Sequence, residues 1–181
     1  MKLTLLALVL GLQVAWILAT VTTQELNLRS APTVLLETRP VDPRDMLRGD
    51  YVILSYKISG VPLGLFQPPL AEVPHAGQTV FVVLEPRGQF HEAVSAALQR
   101  PQPAPGQVVI RGTTEQSWQT SRSNATVRVH YGLERYYVAE GTGNPRGKLT
   151  VHAAVPDSGA ATIKEVFLDG KPYREAMREQ K

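Results

Sequence analysis

Residues 39–56 read RPVDPRDMLRGDYVILSY, and the two halves of this stretch obey different rules. From Tyr51 onward the side chains alternate: Tyr51, Ile53, Ser55 and Lys57 fall on one side of an extended chain, Val52, Leu54, Tyr56 and Ile58 on the other. Successive residues of a strand point to opposite faces. The second set is the more apolar and is expected to face a core. The first half is turn chemistry. Asp42-Pro43 followed by Arg44-Asp45 supplies an Asp side chain able to bond its own downstream backbone and a proline that fixes φ. A charged turn feeding an alternating strand argues for a β-domain.

Working outward, Thr33–Thr38 has the β-branched and apolar content of a first strand, stopped by Pro40. Residues 61–77 carry Pro62, Pro68, Pro69 and Pro74 with little periodicity, which predicts a long surface loop. Leu63, Leu65 and Phe66 are more apolar than a free loop needs. They either tuck back onto the domain, the preferred reading, or form a partner-docking tip. Gln78–Leu84 and Gln107–Gly112 are strands, the first hydrophobic enough to be central, whereas Phe90–Leu98 fits a strand or a short helix. Thr126–Tyr131 places Val127, Val129 and Tyr131 on one face. Residues 148–155 and 160–168 form a hairpin across Pro156-Asp157-Ser158-Gly159, with a second tight turn at Asp169-Gly170. Tyr173–Lys181 is charged and suits one or two exposed helical turns. About seven or eight short strands between turn signals predict an all-β fold, a sandwich or partly open barrel.

Ahead of this domain, Leu3–Val21 is continuously apolar and uncharged. As a helix it spans roughly 28 Å, close to the ~30 Å hydrocarbon core. Residues 1–22 therefore read as a transmembrane anchor, Thr22–Ala31 as a short polar stalk, and 23–181 as an exported β-rich domain. A cleaved signal peptide is the competing reading. Its apolar region is usually shorter, about 7–15 residues, and Ile17-Leu18-Ala19 is a poor cleavage pattern. Lys2 is the single charge ahead of the tract, which puts the N-terminus inside and the domain outside.

Composition narrows the function classes. With no cysteine, disulfides, thiolate metal sites and a cysteine nucleophile are excluded. The 19 basic and 16 acidic residues are mixed along the chain, without the basic face that nucleic-acid binding uses. His75, His91, His130 and His152 have no metal-ligand spacing, and no phosphate-loop or nucleophile-elbow motif occurs. Neither a cofactor nor a metal is expected, and no catalytic residue is assigned. The residues that concentrate polar chemistry are Asp42, Arg44, Asp45, Arg48 and Asp50 with Tyr51 and Tyr56, and a second set, Glu134, Arg135, Tyr137 and Glu140. Two readings stay open for them. They form a salt-bridged, turn-capping knot, with Arg44 or Arg48 meeting Glu134 or Glu140 if the stretches adjoin, or they form a ligand or partner site.

Gly49-Asp50-Tyr51-Val52-Ile53-Leu54-Ser55-Tyr56 resembles the signature of the bacterial GDYXXLXY family. Val41–Asp45 with Arg48 resembles the family's lead-in. Leu133–Gly141 resembles its second block, with Ala139 where Pro is frequent, and Leu168–Pro172 its closing turn. The same Gly-Asp-x-Val string is similar to a strand motif of signal-peptidase-type enzymes. Ser30 lacks the serine setting those enzymes need, and Lys57, Lys148 and Lys164 have no telling context. The GDYXXLXY resemblance, to a family without an assigned activity, implies a protein anchored in the bacterial inner membrane, its domain in the periplasm, working beside a multi-pass membrane partner. An enzymatic role is the less favoured expectation. The runner-up is a periplasmic small-ligand binder or hydrolase using the Arg/Asp/Glu/Tyr cluster.

Overall fold

The computed structural model describes residues 2–39, 51–70, 72–115, 126–139 and 145–180. Its first element is a helix, α1, over Lys2–Ser30. This corrects the expectation of a stalk: the polar segment from Thr22 stays helical. The hydroxyls of Thr20, Thr22, Thr23 and Ser30 donate to carbonyls four residues back, so their polarity is absorbed by the helix backbone. Arg29 pairs with Glu25 at 2.9 Å and favours the negative end of the helix. Pro32 then enforces the stop, because the residue before a proline avoids the α region.

Eleven strands follow, in three antiparallel sheets. The largest has the order β3 (Gly60–Pro62), β7 (Thr126–His130), β6 (Val108–Thr114), β4 (Thr79–Arg87) and β5 (Phe90–Ala97). It closes nearly into a barrel. The chain leaving β3 returns to the opposite edge, where Phe66 bridges Ala96 and the Gln67 N–H donates to the Ala96 carbonyl at 2.8 Å. Phe90–Ala97, ambiguous in sequence, is a strand because it is the hairpin partner of β4 across a Gly88 turn with φ 63°. Gly112 on β6 marks a close approach: a Cβ there would meet the His130 carbonyl of β7 at 2.6 Å.

A second sheet has the order β1 (Thr33–Glu37), β9 (Leu149–Ala154), β10 (Thr162–Leu168) and β11 (Lys171–Pro172). Val34 and Leu36 face Ala153 and Val151 in register and are buried with them. The β10–β11 turn puts Asp169 and Gly170 at φ 50° and 83°, the left-handed pair that a tight hairpin requires. Helix α2 (Tyr173–Glu179) follows and buries Tyr173, Ala176 and Met177, an i, i+3, i+4 stripe. The third sheet is a two-stranded ribbon of β2 (Tyr51–Ile53) and β8 (Arg135–Tyr137).

The alternation that opens at Tyr51 holds in burial but not in strand geometry. Val52, Leu54, Tyr56 and Ile58 are all buried, yet β2 ends at Ile53. The chain then crosses to β1 through Arg39 N–H to Ser55 O (2.6 Å) and a Thr38–Tyr56 bridge, and tightens into a 3₁₀ turn at Lys57–Ser59. All three sheets and α2 contribute to one hydrophobic cluster, so the β-domain has a single core. Leu63 and Leu65 pack against that core and Phe66 is fully inside it. The loop residues therefore fold back, which leaves Phe66 no surface to offer a partner.

Candidate functional site

The described parts of the two stretches singled out in the sequence, from Tyr51 onward and from Glu134 onward, are brought together. Tyr51 lies opposite Tyr137, Val52 opposite Tyr136, and Ile53 opposite Arg135, with Leu54 N–H donating to Glu134 O at 2.9 Å. The pleat then sorts their side chains. Arg135, Tyr51 and Tyr137 share the outer face. The guanidinium carbon of Arg135 sits 5.3 Å from the Tyr51 ring centre, and the Tyr51 and Tyr137 rings are 5.9 Å apart and tilted by 59°. That is cation–π and aromatic stacking across a two-stranded ribbon. Tyr136, on the inner face, meets Tyr173 edge-on at 5.5 Å.

Tyr56 and Glu134 serve the fold. The Tyr56 hydroxyl donates to Leu133 O at 2.7 Å, and Tyr131 makes the reciprocal bond to Ile58 O at 2.7 Å. Both phenols are buried, and burial first, then the Glu134 carboxylate, raises them well above the ordinary phenol range. Glu134 accepts the Tyr131 N–H at 2.7 Å and lies 3.6 Å from His130 Nδ1. It caps the bend at Gly132, where φ is 81°. Asp42, Arg44, Asp45, Arg48, Asp50 and Glu140 lie outside the described residues, as does any pairing of Arg44 or Arg48 with Glu140.

The chain matches the family model described as GDYXXLXY protein over residues 13–166. It belongs to the GDYXXLXY family. No curated protein and no solved structure matches it. In this GDYXXLXY protein the described part of the signature divides by face: Leu54 and Tyr56 are core residues, while Tyr51 stands in the outer aromatic row with Arg135 and Tyr137. Tyr56 also ties the signature to the second block, since its acceptor belongs to Leu133.

Below the ribbon, a cleft of about 360 Å³ opens between β8 and α2, lined by Tyr136, Tyr137, Val138, Tyr173, Met177 and the two arginines Arg174 and Arg178, together with Ala139. Tyr173 is 2% exposed and its hydroxyl has no hydrogen-bond partner among the described residues. Burial pushes that phenol up to about 12, so at neutral pH it is a protonated donor. Neither Arg174 nor Arg178 makes an ion pair among the described residues. These positions were not singled out in the sequence, where Tyr173–Lys181 reads only as exposed helix. The usable signal was there: Arg174 and Arg178 are four apart, on one helical face, beside the Tyr173/Ala176/Met177 stripe.

A second polar centre joins the sheets rather than lining a cleft. Glu37, at the end of β1, receives Lys148 at 2.6 Å and Lys57 as well. Hydrogen bonds from Lys148 and then Lys57 hold its carboxyl below the ordinary value. Nearby, His91 Nδ1 of β5 accepts the Leu35 N–H of β1 at 3.2 Å, and burial lowers the imidazole's pKa. Among the described residues no group of three or more His, Asp or Glu side chains is placed to hold a metal.

Proposed function

We propose that this GDYXXLXY protein is a single-pass membrane protein, retained through residues 3–21, whose domain (23–181) lies on the periplasmic side of the bacterial inner membrane and serves as a binding or accessory module for a multi-pass membrane partner. The anchoring half rests on α1, which is apolar and long enough to cross a membrane over Leu8–Ser30, with none of that stretch buried against the domain. The single observation that carries the binding half is Tyr137. Among the described residues the large hydrophobic side chains left exposed all belong to α1, except Tyr137, which is 70% exposed. A lone exposed Tyr flanked by another Tyr and an Arg has the composition of an interface hot spot.

The test uses the full-length protein in intact membranes with a benzophenone amino acid at position 137 or, as control, at Lys164 on β10. The reading expects a crosslink to an integral-membrane protein from position 137 only, lost when Arg135→Ala is added. Equal crosslinking from both positions, or none from 137, refutes it. Orientation is checked separately. The chain has no cysteine, so Asp157→Cys in the β9–β10 turn gives a single thiol. An impermeant maleimide should label it in spheroplasts without lysis.

A further inference from the structure

We infer that the cleft between β8 and α2 is a binding site for an organic phosphate, a phosphate group carried on an apolar or aromatic body. Three features meet there. Arg174 and Arg178 present two guanidinium groups with no ion pair among the described residues; the described lining of this cleft holds no carboxylate, while Glu165 and Glu175 line the adjoining groove that both arginines also border. Planar guanidinium forks match phosphate oxygens two at a time. Two such cations balance a dianion. The Tyr173 side chain lines the cleft, and its hydroxyl, closed off from solvent, has no hydrogen-bond partner among the described residues, which native structures rarely leave without a reason. The remaining described walls, Tyr136, Tyr137, Val138, Ala139 and Met177, are aromatic or apolar, as small-molecule sites of roughly 300–1,000 Å³ usually are, and Tyr137 borders this cleft as well as the outer row.

This occupant is a different one from the membrane partner assigned to the outer Tyr137 row, and the two readings fail separately. Crosslinking at position 137 reports the partner, while the arginine variants below report the phosphate. The phosphate has two sources, a soluble metabolite or a lipid headgroup of the membrane that α1 is suited to cross.

The experiment is calorimetric titration of phenyl phosphate into the full-length protein held in phosphatidylcholine nanodiscs. Saturable binding is expected, with no binding of neutral phenol. The double variant Arg174→Gln/Arg178→Gln should lose at least about tenfold in affinity. Tyr173→Phe should lose about tenfold while its unliganded melting temperature is unchanged or higher, which separates a binding role from a structural one. Discs containing phosphatidic acid are then compared with discs of equal charge made with phosphatidylserine. Weaker phenyl phosphate binding only with phosphatidic acid assigns the site to the lipid headgroup, and equal binding assigns it to a soluble ligand. No saturable binding in phosphatidylcholine discs overturns the inference, as does wild-type affinity in the double variant or phenol binding as tightly as phenyl phosphate.

Discussion

Tyr56→Phe removes one oxygen from the last position of the family signature, and the structure fixes what that oxygen does. It is fully buried and, among the described residues, its acceptor is Leu133 O at 2.7 Å. Deleting the donor leaves a buried carbonyl unpaired. That costs about 1–3 kcal/mol, more than the net worth of the bond itself, because the carbonyl was desolvated on folding and gains nothing in exchange. For a domain of this size each kcal/mol moves the midpoint about 2–4 °C, so the variant should melt about 2–12 °C lower. Tyr131→Phe, which orphans Ile58 O, should behave alike. The control is a third buried tyrosine. Tyr173 has no hydrogen-bond partner among the described residues, so Tyr173→Phe strands no described group and should leave stability unchanged or raise it by up to about 2 kcal/mol. Circular-dichroism melts of the full-length protein in nanodiscs compare the three. A Tyr56→Phe melt indistinguishable from wild type, or a Tyr173→Phe loss as large as that of Tyr56→Phe, would refute this account.

Three further outcomes follow from other contacts. His91 accepts the Leu35 N–H through Nδ1 and its pKa is lowered in the fold, so below about pH 6.5 the unfolded chain takes up a proton that the folded one resists. Stability should therefore fall as pH drops through that value, and His91→Gln, which keeps an acceptor, should flatten the dependence in urea titrations at pH 7.5 and 5.5. Glu37, held low by Lys148 and Lys57, adds stability above its unfolded value of 4.5 that fades as pH falls further; Glu37→Gln should cost about 1 kcal/mol at neutral pH, measured as a lower urea midpoint. Gly112→Ala forces a Cβ against the His130 carbonyl at 2.6 Å, a backbone atom that cannot retreat cheaply. It should lose about 1–3 kcal/mol, and a wild-type urea midpoint would mean β6 and β7 can separate there.

Much of the core was legible in the sequence because burial follows alternation even where strand geometry does not. The alternation places Val52, Leu54, Tyr56 and Ile58 inward and puts Val127, Val129 and Tyr131 on one shared face, and all seven are buried. What periodicity could not register was shortness: β2, β3, β8 and β11 have two or three residues each, fewer than an alternating pattern needs. The helical stretch from Thr22 to Ser30 was missed because its hydroxyls look like loop chemistry until they turn back on their own helix. At the site, sequence alone leaves open whether the signature and the second block adjoin; they pair as β2 and β8, which sets Tyr51, Arg135 and Tyr137 side by side. Tyr173 escaped because an orphaned hydroxyl is a property of three-dimensional packing, and no local string encodes it.

The junction between α1 and β1 has a mechanical consequence. Only Ala31 and Pro32 separate Ser30 from Thr33, and Pro32 O is itself held by Val155 N–H at 3.0 Å. The helix end also borders the sheet, with Leu28 and Arg29 flanking one groove together with Ile163 and Lys164. With α1 seated in a bilayer, the domain has no tether on which to roam. A flexible Gly-Ser segment inserted after Ser30 would free the domain to tilt and swing relative to the helix.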